Sequence, residues 1–239
     1  MTRYRSAMAI IGPTTSGKTA VAYELARRIG GGEVVNLDKI ACFKNFPLSS
    51  GVSDALEEKG VKRHLYEILE PDQEVIPAET YIGMVRSECA QIIAGGGLPI
   101  IEGGSTTYVP ALFEANEQVP FCAPIIGLRP PAEFDIREKI ARRVVAAIES
   151  GLVDEVREGL KKYRSSFVMN DTYAIIPIVR YLDGRIGLDA AREEIVDRFT
   201  NYAHRQMEFF GRFPGIVWLE HKPSELTETV AKIAALLKA

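Results

Sequence analysis

Cysteine is scarce in this chain: Cys42, Cys89 and Cys122 are odd in number, widely spaced and without any Cys-x-x-Cys pair. That pattern excludes a disulfide framework and gives no sign of a thiolate metal site, so the three read as small buried hydrophobes. An excess of basic charge is also missing, with 29 Lys and Arg against 32 Asp and Glu, a net charge of −3 and a pI near 5.8. This lacks the overall electrostatic footprint of a protein that lives on nucleic acid, and it favours a small acceptor while leaving a local basic patch open. No uninterrupted apolar run is long enough to span a bilayer, and Met1-Thr2-Arg3-Tyr4-Arg5-Ser6 leads straight into the first strand-like run. No membrane partner is therefore expected, and a cytoplasmic location is. Internal repeats and low-complexity linkers are absent too. With 239 residues, 46% of them hydrophobic and 26% charged, the chain can bury the core of one large or two small domains.

Gly12-Pro13-Thr14-Thr15-Ser16-Gly17-Lys18-Thr19 fits the phosphate-binding loop, a Gly, four residues, then Gly-Lys-Ser/Thr. Ala7-Met8-Ala9-Ile10-Ile11 before it reads as a buried strand, and Ala20 to Arg28 after it as a helix. A Gly-rich turn that merely fits the pattern competes with this reading, but it does not require the flanking strand and helix. In such a loop backbone N–H groups and the helix N-terminus surround an oxyanion, Lys18 adds a full charge, and Thr19 is placed to hold Mg²⁺. The loop alone does not say which phosphate it takes.

Gly30-Gly31-Gly32 ends that helix, and Glu33 to Leu37 reads as a second strand with Asp38 at its carboxyl end. In open parallel sheets that end faces the ligand crevice; the competing reading is a helix-capping aspartate ahead of Lys39-Ile40. Residues 43 to 60, with Pro47, Ser49, Ser50, Gly51 and Ser53, read as a loop over the site, in which Ser50 either touches a ligand or sits in a turn. Ala78 to Ala94 has helical spacing, and Leu98-Pro99-Ile100-Ile101 is a buried strand running into Glu102-Gly103-Gly104-Ser105. That second glycine turn permits close approach to a ligand or is a plain tight turn.

Pro124 to Leu128 is a further strand, and a helix bearing Arg137, Lys139, Arg142 and Arg143 runs to about Ser150. Those charges form a solvated face, or one arginine reaches the phosphates. A helix over 151 to 163, a loop near Met169-Asn170-Asp171 and a helix over Leu188 to Phe210 follow. Tyr202 and Arg205 are neighbours on the last of these, by themselves a core tyrosine and a rim arginine. Gly215 to Glu220 closes as a strand, and Leu226 to Leu237 as an amphipathic helix. Strands alternating with helices predict an α/β protein, a P-loop-type three-layer fold with a mainly parallel sheet and a helical C-terminal portion. The expected division is a core over 1–129, a helical portion over 130–210 closing the active-site channel, and a strand and helix over 211–239 returning to the core.

The P-loop with its Pro13-Thr14 insert, Leu37-Asp38, Glu102-Gly103-Gly104-Ser105, Ile140-Ala141-Arg142-Arg143-Val144 and Tyr202-Ala203-His204-Arg205-Gln206 resemble, in this order, the isopentenyltransferases that prenylate the N6 of adenine. The resemblance covers nearly the whole chain. Gly151-Leu152-Val153-Asp154-Glu155-Val156 and Arg180-Tyr181-Leu182-Asp183-Gly184 are similar to the tRNA branch, while Leu37-Asp38-Lys39, Ser50-Gly51 and the short length are similar to the adenylate branch. The tRNA branch carries an added helical insertion that grips the anticodon stem-loop, and here the passage after Leu128 leaves no room for it. A small acceptor, N6 of an adenine nucleotide as in cytokinin synthesis, is therefore expected, with tRNA not expected. Two departures from the family pattern, Ala174-Ile175-Ile176 for Gly-Tyr-Arg and Glu208-Phe209 for Thr-Trp, point toward a changed pocket and a non-nucleotide amine as another acceptor.

The resemblance implies Mg²⁺-dependent transfer of a dimethylallyl group from dimethylallyl diphosphate. It assigns catalytic roles to Asp38, as general base, and Thr14, and diphosphate contacts to Thr15, Ser16, Gly17, Lys18, Thr19, Arg143, Tyr202 and Arg205, with Arg142 as the alternative to Arg143. It assigns acceptor contacts to Ser50, Ser105 and Asp171, and the metal to Thr19. Loop, sheet and basic helix also suit a small-molecule kinase, which would consume ATP, or a non-catalytic nucleotide-binding module.

Overall fold

In the computed structural model, which describes residues 4–51 and 60–237, the central strand β1 (Ala7–Ile11) has all five residues fully buried. It is paired in parallel on both sides, with β4 (Leu98–Gly103) and β5 (Cys122–Arg129), which is why its sequence is a continuous apolar run. Ala7, Ala9 and Ile11 face one layer, while Met8 and Ile10 face the other. The sheet adds β2 (Gly32–Asn36), the two-residue β3 (Arg63–His64) and β6 (Ile216–Glu220), in the order β3-β2-β4-β1-β5-β6 with every pairing parallel.

One face is covered by α1 (Lys18–Ile29) and α10 (Leu226–Leu236), whose Val21, Leu25, Val230 and Ile233 enclose Met8 and Ile10. The other face is covered by α3 (Ala78–Ala94) and α4 (Tyr108–Gln118), continued by a helical cluster of α5 (Ile136–Glu149), α6 (Leu152–Tyr163), α7 (Phe167–Asp171), α8 (Ile175–Leu182) and α9 (Leu188–Phe210). α5 and α8 both pack on α9, and Ile140, Val156, Ile178 and Ile195 join one apolar cluster with Ile11, Leu37 and Ile101 of the sheet. The three-layer α/β fold expected from the sequence is thus the one observed. Among the described residues no helix is long and apolar enough to cross a membrane.

Several local readings change. The expected loop at Met169-Asn170-Asp171 is the helix α7, because Val168 and Met169 are buried against α6 and α8, a tertiary reward that a five-residue sequence does not announce. Within the expected loop over 43–60, Pro47–Ser50 forms the short helix α2, held by Glu155 of α6, whose carboxylate accepts from the Leu48 and Ser49 N–H groups and the Ser49 hydroxyl. Residues 52–59, including Ser53, and Met1 to Arg3 lie outside the described residues. The helix α4 went unread because Pro110 stands in it; in a first turn the missing N–H costs nothing.

β1 carries the loop that follows it, so its packing sets the geometry of the site. Ile10→Ala, at a position with no exposure, is expected to lower unfolding free energy by about 2–5 kcal/mol in chemical denaturation, the range for a buried large-to-small change.

Candidate active site

The carboxyl ends of β1, β2 and β4 converge on a cavity of about 200 Å³, closed on the far side by α5, α9 and the connection from α7 to α8. β1 hands the chain to the loop Gly12 to Thr19. Thr15 (φ 65°) and Gly17 (φ 86°) take left-handed conformations, and α1 begins directly after Gly17. A Cβ on Gly17 would stand 2.7 Å from His221 Nε2, so position 17 needs glycine both for its φ and for its neighbour.

The loop is tied down by side chains from far along the chain. The Thr14 N–H donates to Gln206 Oε1 at 2.8 Å, while Gln206 Nε2 donates to the Gly104 carbonyl at 2.5 Å. Lys139 Nζ donates to the Thr15 carbonyl at 2.7 Å, Arg143 Nη1 to Thr14 Oγ1 at 3.1 Å, and Lys18 Nζ to the Pro13 carbonyl at 3.4 Å. Three cations thus gather on one loop. Burial pushes the Lys139 ammonium and the Arg143 guanidinium below their ordinary values, and for Lys139 the charges of Arg143 and Lys18 add to the shift. An anion bound there relieves that repulsion. Arg143 also lies over the Phe199 ring, 5.4 Å from its centroid. Arg142 points away, exposed and paired with Glu138 at 2.8 Å, and Arg137 pairs with Glu193 and Asp197.

Glu102, the penultimate residue of β4, is 5% exposed and accepts from Thr19 Oγ1 at 3.2 Å to both oxygens and from the Tyr66 hydroxyl at 2.8 Å. Burial raises its carboxyl above the ordinary range, with Lys18 opposing. No cluster of three or more His, Cys, Asp or Glu able to hold a metal occurs among the described residues. One carboxylate and one hydroxyl beside a phosphate loop nevertheless fit Mg²⁺, which characteristically takes one or two protein oxygens and fills its shell with phosphate and water. Glu102 was visible in the sequence only as part of a glycine turn; a carboxylate closing an apolar strand was the available signal.

Asp38 follows β2 and lines the cavity, and its Oδ1 accepts from the Ile40 N–H at 2.9 Å and the Ala41 N–H at 3.4 Å. Both readings of Asp38 therefore hold: one oxygen caps the turn Ile40–Cys42, and the cap fixes the direction of the other. Ser105 lines the cavity while its hydroxyl accepts from the Thr107 and Tyr108 N–H groups, so it also starts α4. Ser50 lines the cavity with its hydroxyl on the Pro47 carbonyl. Asp171 stands at the rim, paired with Lys39 at 3.3 Å. Tyr202 lines the cavity and donates to the Gly104 carbonyl at 3.3 Å.

Thr14, Lys18, Thr19, Asp38, Ser50, Ser105, Arg143, Asp171 and Tyr202 are thus brought to one cavity. Thr15, Ser16 and Gly17 form the loop behind its lining, and Arg205 lies outside it, donating to the Tyr173 hydroxyl at 3.2 Å in a shallow outer groove beside Phe209 and Arg212. Ala174 and Ile175 are buried in the helical cluster, and the cavity wall just before them is Asp171, Thr172 and Tyr173. Ala174 and Ile175 therefore pack within the helical cluster and do not line the pocket.

The family model described as isopentenyl transferase matches residues 5–220. A tRNA dimethylallyltransferase of Xanthomonas campestris pv. campestris (strain 8004) is 37% identical over 129 residues, covering 54% of this chain. That match takes in only 39% of the Xanthomonas protein's length. The tRNA dimethylallyltransferase of Nocardia farcinica is 25% identical over 296 residues, covering 94% of this chain and 93% of its own. A tRNA isopentenylpyrophosphate transferase structure from Staphylococcus epidermidis superposes with a TM-score of 0.85 at 19% identity, covering 97% of this chain and 98% of that one. One from Bacillus halodurans gives 0.82 at 20%, covering 98% and 97%.

Because burial raises Glu102, the folded protein holds this proton more tightly than the unfolded chain does. Its ionisation then costs stability, not at all below the ordinary carboxylate range and in full once pH passes the raised value. Glu102→Gln removes that cost. The variant's Tm is expected above wild type at neutral pH and to converge with it in mild acid, while the Tm increase given by Mg²⁺ plus inorganic diphosphate is lost; a thermal scan across pH checks both.

Proposed function

The chain belongs to the isopentenyl transferase family, and from that premise we propose that it moves a dimethylallyl group from dimethylallyl diphosphate to the exocyclic nitrogen of an adenine, with an adenine of tRNA as acceptor. The observation that carries this reading is a single cavity lined by Lys18 and Arg143, two of the three cations gathered on the phosphate loop, and by the Asp38 carboxylate.

The acceptor differs from the small molecule expected from length and net charge. The relatives are named for tRNA, and the likeness to the Nocardia protein runs end to end over 296 aligned positions although this chain has 239 residues, so the tRNA-named relative shares the whole frame and carries segments that this chain lacks. A free adenine nucleotide is the second reading, supported by the net charge of −3.

In the reaction the allylic C–O bond breaks with its electron pair leaving on the diphosphate, the amine nitrogen bonds to the allylic carbon, and the amine proton passes to Asp38. Lys18 and Arg143, with the N–H groups at the start of α1, stabilise the charge that grows on the leaving diphosphate. Thr14 Oγ1 already accepts from Arg143, which leaves its own O–H free to donate to a leaving oxygen. Because Asp38 Oδ1 is engaged by two backbone N–H groups, Oδ2 is the oxygen left to receive the proton. Phe199, Tyr173 and Tyr202 wall the cavity and shield the allylic carbon from water. Thr19 and Glu102 would hold Mg²⁺, which supplies further neutralisation of the diphosphate when bound.

Mass spectrometry after incubation with Mg²⁺ and dimethylallyl diphosphate tests the reading against unmodified tRNA, AMP and ATP. Gain of one dimethylallyl unit on a tRNA adenine, with Asp38→Asn slowing turnover by about 10²–10⁴-fold, is the expected result. Transfer to AMP or ATP alone would replace the tRNA acceptor by the nucleotide, and ATP hydrolysis without transfer would return the protein to the kinases.

A further inference from the structure

Leu65 (φ 63°) and Glu67 (φ 51°) take the left-handed backbone conformation on either side of Tyr66. Bulky side chains rarely adopt it, and it persists only where the surroundings fix the chain. Here they do. β3 pairs with β2, Asn36 Nδ2 donates to the Leu65 carbonyl at 3.0 Å, and the Glu67 N–H donates to the Ala41 carbonyl at 3.0 Å. His64 is bracketed by Glu33 at 2.6 Å and Glu88 at 3.0 Å. These ties place Tyr66 without help from Glu102, and from that fixed position its hydroxyl donates to Glu102 Oε1 at 2.8 Å, across 36 positions of sequence.

The contact sorts the two carboxylate oxygens. Thr19 Oγ1 stands 3.2 Å from both, whereas Tyr66 engages Oε1, which leaves Oε2 the less committed. A phenol stays protonated up to a pH of about 10, so Tyr66 is a donor at any working pH. Its single proton goes to Glu102, and its oxygen can then accept from Tyr23, whose hydroxyl is within hydrogen-bonding reach of both Tyr66 and Arg63. The Arg63 side chain is 9% exposed and its guanidinium lies 5.2 Å from the Tyr66 ring centroid. A chain of donors thus runs from Arg63 through Tyr23 and Tyr66 to Glu102, and bonds in such a chain polarise one another. Carboxylates that take a metal are characteristically oriented by partners of this kind.

Resting on the assignment of Mg²⁺ to Thr19 and Glu102 above, we infer that Tyr66 is a positioning residue for the metal: its hydroxyl fixes Oε1 of Glu102 so that Oε2 is presented to the cation. Tyr23 and Arg63 act through Tyr66. None of the three is needed to hold diphosphate in the absence of metal.

The test uses Tyr66→Phe, which keeps the ring beside Arg63 and removes the hydroxyl. Tyr108→Phe is the control, removing the hydroxyl of a buried tyrosine outside the cavity lining that donates to the Ile76 carbonyl at 3.0 Å. Calorimetry reads the affinity for inorganic diphosphate in Mg²⁺ and in EDTA. Tyr66→Phe is expected to lose about ten- to a hundredfold in Mg²⁺ and nothing in EDTA. Tyr108→Phe is expected to match wild type in both. Tyr23→Phe, one step back along the chain, is expected to show a smaller loss confined to Mg²⁺, and reads the same chain should Tyr66→Phe not fold. Wild-type affinity of Tyr66→Phe in Mg²⁺ would overturn the inference. So would a loss as large in EDTA, or the same loss in Tyr108→Phe. Glu102→Gln separates the two levels of the claim. If it keeps the wild-type gain from Mg²⁺, the metal assignment fails first and this inference falls with it; if it loses that gain while Tyr66→Phe keeps it, the inference alone fails.

Discussion

Everything at the site depends on how closely four strand ends approach one another. A side chain on Gly103 would collide with the Leu37 carbonyl, one on Gly104 with the Gly12 carbonyl, and one on Gly12 with the Leu128 carbonyl. Backbone therefore meets backbone across β2, β4, β1 and β5, and the parallel register opposes Asn36 to Glu102 and Ile11 to Gly103. That contact brings Asp38, the phosphate loop and Glu102 within reach of one ligand. With bulkier residues at those positions the strand ends would splay, and the same functional groups would face separate spaces.

Electrostatics builds on that frame in two opposed ways. On one side of the loop, Lys18, Lys139 and Arg143 are held together, two of them shifted downward by burial. On the other, Glu102 is buried and shifted upward, held by Thr19 and Tyr66. Each group is poorly solvated alone, and each would gain from a metal-bound diphosphate placed between them. The helical cluster completes this arrangement, since Lys139, Arg143, Tyr202 and Gln206 all reach the core from α5 and α9.

Legibility in the sequence followed the distance between partners. The phosphate loop is contiguous, and its flanking strand and helix carry their own periodicity, so Gly12 to Thr19 could be read directly. Asp38 was legible because a strand end is a local feature. Arg143 was separable from Arg142 only by tertiary contact, with Thr14 and Phe199 on one side and Glu138 on the other. Gln206 and Glu102 act through Thr14 and Thr19, across 192 and 83 positions, and no local pattern marks such pairs. Arg205 stands beside Tyr202, as helical spacing predicts, and both reach the outer groove, where its side chain donates to the Tyr173 hydroxyl. Ala174 and Ile175 suggest a changed pocket by their chemistry, whereas their burial makes them scaffold.

The central claim is that one cavity holds diphosphate on the loop after β1 and metal between Thr19 and Glu102, with Asp38 left free to face the acceptor. A crystal structure of the protein with Mg²⁺ and inorganic diphosphate tests it most directly. The account predicts diphosphate within Gly12 to Thr19, contacted by Lys18 and Arg143, and the metal on Thr19 and Glu102. Diphosphate bound away from that loop, or metal bound by Asp38 and not by Glu102, would contradict it.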